Sequence, residues 1–236
     1  MMKTKKKAVF NWSGGKDSAL ALYKTLQSGE FEVVALLTTV TGTTMRSSIH
    51  EIPLDILKEQ AQSIGIPLYA IELPSNDMTD YEENMRKAVV HFKAEGVTHF
   101  IFGDIFLYDI KKYRESKLSP YDIEVVEPLW NKTSKQVVEE FLESGIRSKV
   151  IVTLASKLDK TYIGRELDRD YFSFLPQDVD LCGEEGEYHT LAYAGPLFKK
   201  EISYKLEAPR FVSYDIALDD GTTKSYGYWT TEINIA

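Results

Sequence analysis

The most constraining feature of this sequence is the alternation in its first hundred residues. Short runs of aliphatic and β-branched residues take turns there with stretches of helical periodicity. Residues 8–12 read as a buried strand, followed by a helix over 17–27 with Ala19, Leu20, Tyr23 and Leu26 at helical spacing and Gly29 as a stop. Residues 32–39 are a second buried strand. A second helix is expected over 53–64 from the stripe Leu54, Leu57, Ala61 and Ile64, with Pro53 near its first turn and Gly65 at its end. A strand over 67–73, a helix over 80–95 closed by Gly96 and a strand over 98–103 complete the series. Apolar strands in β-α-β-α-β-α-β order are buried on both sides most simply in a parallel sheet with crossover helices on each face. The expected class is therefore α/β.

After residue 103 the pattern loosens. A short charged helix is expected over 108–117, a strand over 123–126, and a helix over 133–144 that opens with a Thr133–Gln136 capping box and ends at Gly145. A strand over 149–154 and a helix over 166–175 follow. From Tyr188 onward, alternating Tyr, Thr and Ser suggest β structure. The expected division is 1–125 and 126–236, with no internal repeat and no low-complexity linker between them.

Composition removes whole classes of function. Lys plus Arg total 28 against 36 Asp plus Glu, a formal charge of −8, which argues against non-specific nucleic-acid binding. The cluster Lys3, Lys5, Lys6 and Lys7 reads as a solvated lead-in to the first strand. The single cysteine, Cys182, cannot form an internal disulfide or a multi-cysteine metal site. The apolar run behind the basic N-terminus is too short for a signal-peptide core, and no later stretch reaches the ~18 uncharged apolar residues of a membrane span. A cytoplasmic protein with no membrane or nucleic-acid partner is expected, and a homo-oligomer is compatible with the sequence.

The chemistry sits between the first strand and the first helix, in Ser13-Gly14-Gly15-Lys16-Asp17-Ser18. A glycine-rich turn at a helix N-terminus offers backbone N–H groups and the positive end of the helix dipole to an anion. Gly14 and Gly15 permit close approach, Ser13 and Ser18 add hydroxyls, and Lys16 supplies a point charge suited to a polyphosphate. Asp17 beside phosphates implies an intervening cation, Mg²⁺. The spacing is neither that of a Walker A loop nor that of the G-x-G-x-x-G dinucleotide turn.

The six-residue string resembles the pyrophosphate-binding loop of the N-type ATP pyrophosphatases, which include GMP synthetase and argininosuccinate synthetase and cleave ATP to AMP and pyrophosphate. A closer resemblance, over roughly residues 8–200, is to the diphthine–ammonia ligase family. It rests on Ser48-Ile49-His50-Glu51, Gln60-Ala61, Gly65-Ile66-Pro67-Leu68, Gly103-Asp104-Ile105, Arg114-Glu115, Pro128-Leu129-Trp130 and Gly164-Arg165. The most specific strings are the run from Cys182 to Thr190 and Gly195-Pro196-Leu197-Phe198. The resemblance implies a Rossmann-like five-stranded parallel sheet, with a smaller α+β C-terminal domain forming a cleft over the strand ends. It also implies a reaction in which a substrate carboxylate attacks the α-phosphate of ATP, pyrophosphate leaves, and ammonia displaces AMP to give an amide. In the family's namesake reaction the acceptor carboxylate belongs to a modified histidine of elongation factor 2.

On this resemblance, Ser13 to Ser18, Gly103, Asp104 and the second strand around Thr38 would bind ATP, with Asp17 holding Mg²⁺. Lys16 would stabilise charge on the departing pyrophosphate. Asp104, at the carboxyl end of the fourth strand, is either a cap for the next helix or a nucleotide or metal contact. Arg114 and the cluster Glu184, Glu187 and His189 would line the acceptor side, with Glu187 or His189 as the base that deprotonates ammonium. Cys182 reads as a packing residue. Two alternatives stay open: an adenylating enzyme with a different acceptor, and a non-catalytic adenine-nucleotide-binding module.

Overall fold

A computed structural model describes residues 4–47, 50–74, 78–217 and 223–236. Strand β1 (Lys6–Asn11) is central, with β2 (Phe31–Thr41) parallel on one side and β5 (His99–Ile101) parallel on the other. Beyond β2 lies β4 (Leu68–Leu73) and beyond β5 lies β6 (Glu124–Val126), so the parallel order is β4-β2-β1-β5-β6. This is the expected Rossmann-like five-stranded sheet. A two-residue strand, β3 (Arg46–Ser47), folds back antiparallel on the end of β2.

Successive side chains of a strand point to opposite faces, and the two faces are covered separately. Ala8, Phe10, Leu36 and Ile101 pack with α1 (Lys16–Ser28) and α2 (Leu54–Ile64). Val9, Ala35, Leu37, Phe100 and Phe102 pack with α3 (Met78–Ala94) and with Leu118 at the end of α4 (Tyr108–Leu118). The expected helix ends hold at Gly29 and Gly65, both left-handed, where the absence of a side chain removes the steric penalty.

In the C-terminal half, α5 (Ser134–Ser144) carries the reciprocal Thr133–Gln136 capping box. The antiparallel strands β7 (Arg147–Leu154), β8 (Tyr188–Ala194), β10 (Arg210–Ala217) and β11 (Thr223–Thr230) form a sheet in the order β10-β11-β7-β8. A small ribbon pairs β9 (Tyr204–Leu206) with β12 (Ile233–Ile235). The segment after Phe198 is thus stitched into the fold, with β11 between β7 and β10.

Two elements are shorter than the sequence predicts: the strand expected over 98–103 is only β5 (His99–Ile101), and the helix expected over 166–175 is only α6 (Arg169–Ser173). Glu166 forms a β-bridge to Lys149 and Leu167 donates its N–H to Ser148 O, so pairing with β7 keeps this stretch extended until Asp168 caps the helix.

Leu20, Ile56, Phe141, Val150 and Leu191 belong to one continuous buried cluster, which joins the α1/α2 face of the parallel sheet to α5, β7 and β8. Each fully buried side chain of this kind contributes about 1.5–3 kcal/mol. The consequence for the site is that β8 is pressed against the start of α1. Among the described residues, no helix is long and apolar enough to cross a membrane.

Candidate active site

The chain leaves β1 toward β2 and β4, then returns to β5 on the other side. Open parallel sheets bind ligands at such a reversal, in the crevice at the carboxyl ends of the strands. Ser13 to Gly15 follow β1, and Gly103-Asp104 follow β5, so two strings far apart in sequence meet there. Gly103 sets their closeness: a Cβ on it would stand 3.1 Å from the N and Cα of Ser18, forcing β5 away from the first turn of α1.

The loop is clamped from both sides. Gly14 has φ +83°, and a Cβ there would come within 2.8–2.9 Å of Ile52, Leu57 and Gln60. Fully buried Gln60 donates to Gly14 O (3.0 Å) and Ala192 O (2.6 Å) and accepts from Trp12 Nε1 (2.9 Å). From β8, Ala192 N donates to Gly14 O at 2.9 Å. Three N–H groups of the turn are met by hydroxyl oxygens: Ser13 N by Ser18 Oγ (3.2 Å), Gly15 N by Ser13 Oγ (3.3 Å) and Lys16 N by Thr190 Oγ1 (3.0 Å).

Lys16 is buried, at 3% exposure. Its ammonium donates to Asp17 Oδ2 at 2.7 Å and to the Cys182 carbonyl, and lies 5.2 Å from the centroid of the Tyr188 ring. Burial opposes its charge, but Asp17 and Glu184 help outweigh that cost and hold its pKa above the ordinary lysine value. Burial lifts the Asp17 carboxyl, with Lys16 pulling the other way. Asp17 Oδ1 is buried without a hydrogen-bond partner. A free carboxylate oxygen beside an anion site fits Mg²⁺, which takes one or two carboxylates and draws its other ligands from phosphate and water.

The segment from Asp180 to Tyr188 covers the start of α1. Its Glu184 faces Asp17, Lys16 and the Ile105 amide, and burial, with Asp17 next in size, pushes its carboxyl up to about 7. Glu187 is 2% exposed, and both its oxygens are engaged: Oε1 accepts from Asp180 N (2.8 Å) and Oε2 from Glu185 N (3.1 Å). It braces the loop from behind. His189 meets His50 edge to face, ring centroids 4.7 Å apart, and burial beside Lys16 lowers the His189 pKa to about 4. The His50 pKa is lowered by burial as well, then by His189 and Lys16, and its Nδ1 has no hydrogen-bond partner. Ser48 and Ile49, which precede His50 in the same string, lie outside the described residues. The Cys182 side chain packs in the core, its thiol pKa pushed up by burial, while its carbonyl serves Lys16.

Asp104 does not cap a helix. It forms an ion pair with Arg114 of α4, and Leu107 holds the N-cap position. Arg114 Nη1 lies 3.9 Å from Glu127 Oε1, and Lys111 Nζ lies 3.1 Å from Glu127 Oε2. The result is a four-membered charge cluster at the ends of β5 and β6. Burial lowers the Arg114 pKa to about 10, so the guanidinium stays charged at neutral pH. Thr38 is buried in β2 opposite Ala70 of β4, with no described contact to the loop.

Sequence reading assigned no role to three members of this site. Glu127 immediately precedes Pro128-Leu129-Trp130, and only the fold shows that it is buried. Gln60 and Thr190 lay inside the quoted strings, but their bonds to the loop cross 46 and 174 positions of chain.

Comparison with known proteins gives the family. The model of the diphthamide synthase N-terminal domain matches residues 5–118, and that of the diphthamide synthase C-terminal domain matches residues 133–218. Diphthine–ammonia ligase of Homo sapiens is 28% identical over 220 residues, covering 80% of this chain and 79% of the relative. That of Danio rerio is 25% identical over 216 residues, covering 80% and 83%. Among solved structures, the U34-tRNA thiolase of Methanococcus maripaludis covers 60% of this chain and 59% of its own, at 14% identity and a TM-score of 0.41, too distant to bear on function. Two family models that together take in both halves of the chain, and relatives matched along most of their length, lead to one conclusion: the chain belongs to the diphthamide synthase family, that of the diphthine–ammonia ligases.

Proposed function

We propose that this protein is an ATP-dependent carbon–nitrogen ligase that converts an acceptor carboxylate into an amide with ammonia, releasing AMP and pyrophosphate. The observation that carries the reading is the buried, charged Lys16 in a clamped glycine-rich loop at the sheet's switch point, in a chain of this family. The relatives' name points to diphthine, a modified histidine of elongation factor 2, as the acceptor. Residues 1–125 would carry the nucleotide and 126–236 would close over it.

The polyphosphate of ATP sits against the glycine-rich loop at the positive end of the α1 dipole, with the Ser13 and Ser18 hydroxyls as donors. Mg²⁺, when bound at Asp17, neutralises charge on the polyphosphate. A carboxylate oxygen attacks the α-phosphorus, the bond from that phosphorus to the bridging oxygen breaks, and pyrophosphate leaves with its charge met by Lys16. Ammonia then attacks the acyl carbon and AMP departs. Ammonium must first lose a proton, and Glu184 suits the task, because a base works best with a pKa near the working pH. His189, at about 4, is the weaker acceptor, and Glu187 is held by backbone N–H groups. The test is incubation with ATP, Mg²⁺, ammonium and diphthine-bearing elongation factor 2. AMP and pyrophosphate in equal amounts are expected, whereas ADP, or tight ATP binding without turnover, would overturn the reading.

A further inference from the structure

Between α3 and α4, above β5, lies a cavity of about 410 Å³, a size that holds small ligands. Its walls include Tyr81, Met85, Val89, Phe102 and Tyr113, and Arg114 also lines it. The other charged residues of its lining are paired with one another, Glu82 with Lys117 at 2.8 Å and Glu83 with Arg86 at 2.9 Å. Arg114 differs. Its guanidinium lies 4.0 Å from the centroid of the Phe102 ring, yet its ion-pair partner Asp104 lies outside the cavity lining, next to the Gly103 that abuts α1. One cation thus connects an aromatic chamber to the nucleotide loop.

We propose that this groove receives the carboxylate-bearing side chain of the acceptor, its carboxylate on Arg114 and its stem along the aromatic walls, once the Mg²⁺ brought in with the nucleotide has drawn Asp104 off Arg114. The proposal rests on the ligase reading and adds the place and order of acceptor binding. Charge explains the order. Asp104 and Glu127 balance Arg114 and Lys111, so an added carboxylate would meet a neutral cluster in which Arg114 is already engaged. Turning Asp104 toward a nucleotide-bound Mg²⁺ leaves one positive charge in excess on Arg114 and Lys111, enough for one carboxylate. A guanidinium backed by an aromatic ring offers a planar fork that matches it. By linkage, each ligand must tighten the other by the same factor.

Calorimetric titration of hexanoate into the full chain, with and without Mg²⁺ and α,β-methylene-ATP, tests the proposal. Hexanoate should bind roughly fivefold tighter or more in the presence of the analogue, and 1-hexanol should show no such gain. Met85→Trp, which fills the groove, should weaken hexanoate by about tenfold, or 1.4 kcal/mol, while the analogue still binds. Asp104→Asn should bind hexanoate tightly without nucleotide. Equal hexanoate affinity with and without the analogue, or unchanged binding in Met85→Trp, would overturn the proposal. The two readings fail separately. Coupled hexanoate binding without AMP formation from any acceptor would remove the ligase reading alone. AMP formation with an unaltered acceptor KM in Met85→Trp would remove the groove alone.

Discussion

The two faces of the parallel sheet are closed to different degrees. On the α1/α2 face, buried side chains run on into the C-terminal half, and the loop after β1 is held by Gln60 on one side and by Thr190 and Ala192 on the other. On the α3/α4 face a smaller cluster covers the strands, α4 buries Leu118 alone, and a groove remains beside Arg114. A loop that stabilises a leaving polyphosphate works by having its donors in place beforehand. An acceptor side chain has to enter and depart, which a close-packed face would forbid.

The largest effect should come from the closed face. Lys16→Met should lower AMP formation by about 10²–10³-fold, the cost of removing a group aimed at developing charge. A loss under tenfold in a discontinuous AMP assay would place the charge stabilisation elsewhere. Next comes Gln60→Leu, which leaves Trp12 Nε1 without its acceptor and takes one donor each from Ala192 O and from Gly14 O, which keeps Ala192 N. A destabilisation of about 2 kcal/mol in urea unfolding is expected, since a buried orphan costs roughly 1–3 kcal/mol.

The pH dependence bears on the lid of the closed face. Glu184 titrates at about 7 in the folded protein against 4.5 ordinarily, so as a base it should give a rate that climbs with pH through about 7, and Glu184→Gln should flatten that limb. A raised carboxyl pKa lets the folded state bind the proton more tightly. Its ionisation therefore erodes stability as pH rises from 4.5 to about 7. Glu184→Gln should be more stable than the parent above pH 7 and converge with it near 4.5; the opposite trend in unfolding midpoints would refute the burial argument. His189 runs the other way. With its pKa lowered from 6.5 to about 4, its share of stability is complete above 6.5 and lost as pH falls toward 4. The smallest effect belongs to the open face: Val90→Ser on α3, where Val90 is 45% exposed, should stay within about 0.5 kcal/mol. A larger cost would mean that this face is covered by something in solution.

Much of the fold could be read locally. The strands β1, β2 and β4, the helices α1, α2 and α5, and the capping box at Thr133 fall where periodicity and caps place them, because those signals pass between residues a few positions apart. The miss at 166–175 has the complementary cause: pairing with β7 across some twenty positions overrode helical spacing. At the site, the glycine-rich string marks the turn between β1 and α1, but the Glu187 carboxylate, read as a base, is spent on backbone N–H groups of its own segment.

By itself the sequence determined the class of sheet, the position of the glycine-rich turn after β1 and, through its resemblance, the family. Each of these rests on residue type and near-neighbour spacing. Tertiary structure alone decided that the carbonyl of Cys182 and the hydroxyl of Thr190 serve Lys16, that Gln60 ties the loop to β8, and that Arg114 stands between Asp104 and an aromatic groove. A backbone carbonyl is chemically the same in every residue, and a buried amide or charge gains its meaning from what faces it. Direction and partner exist only once the chain has closed on itself.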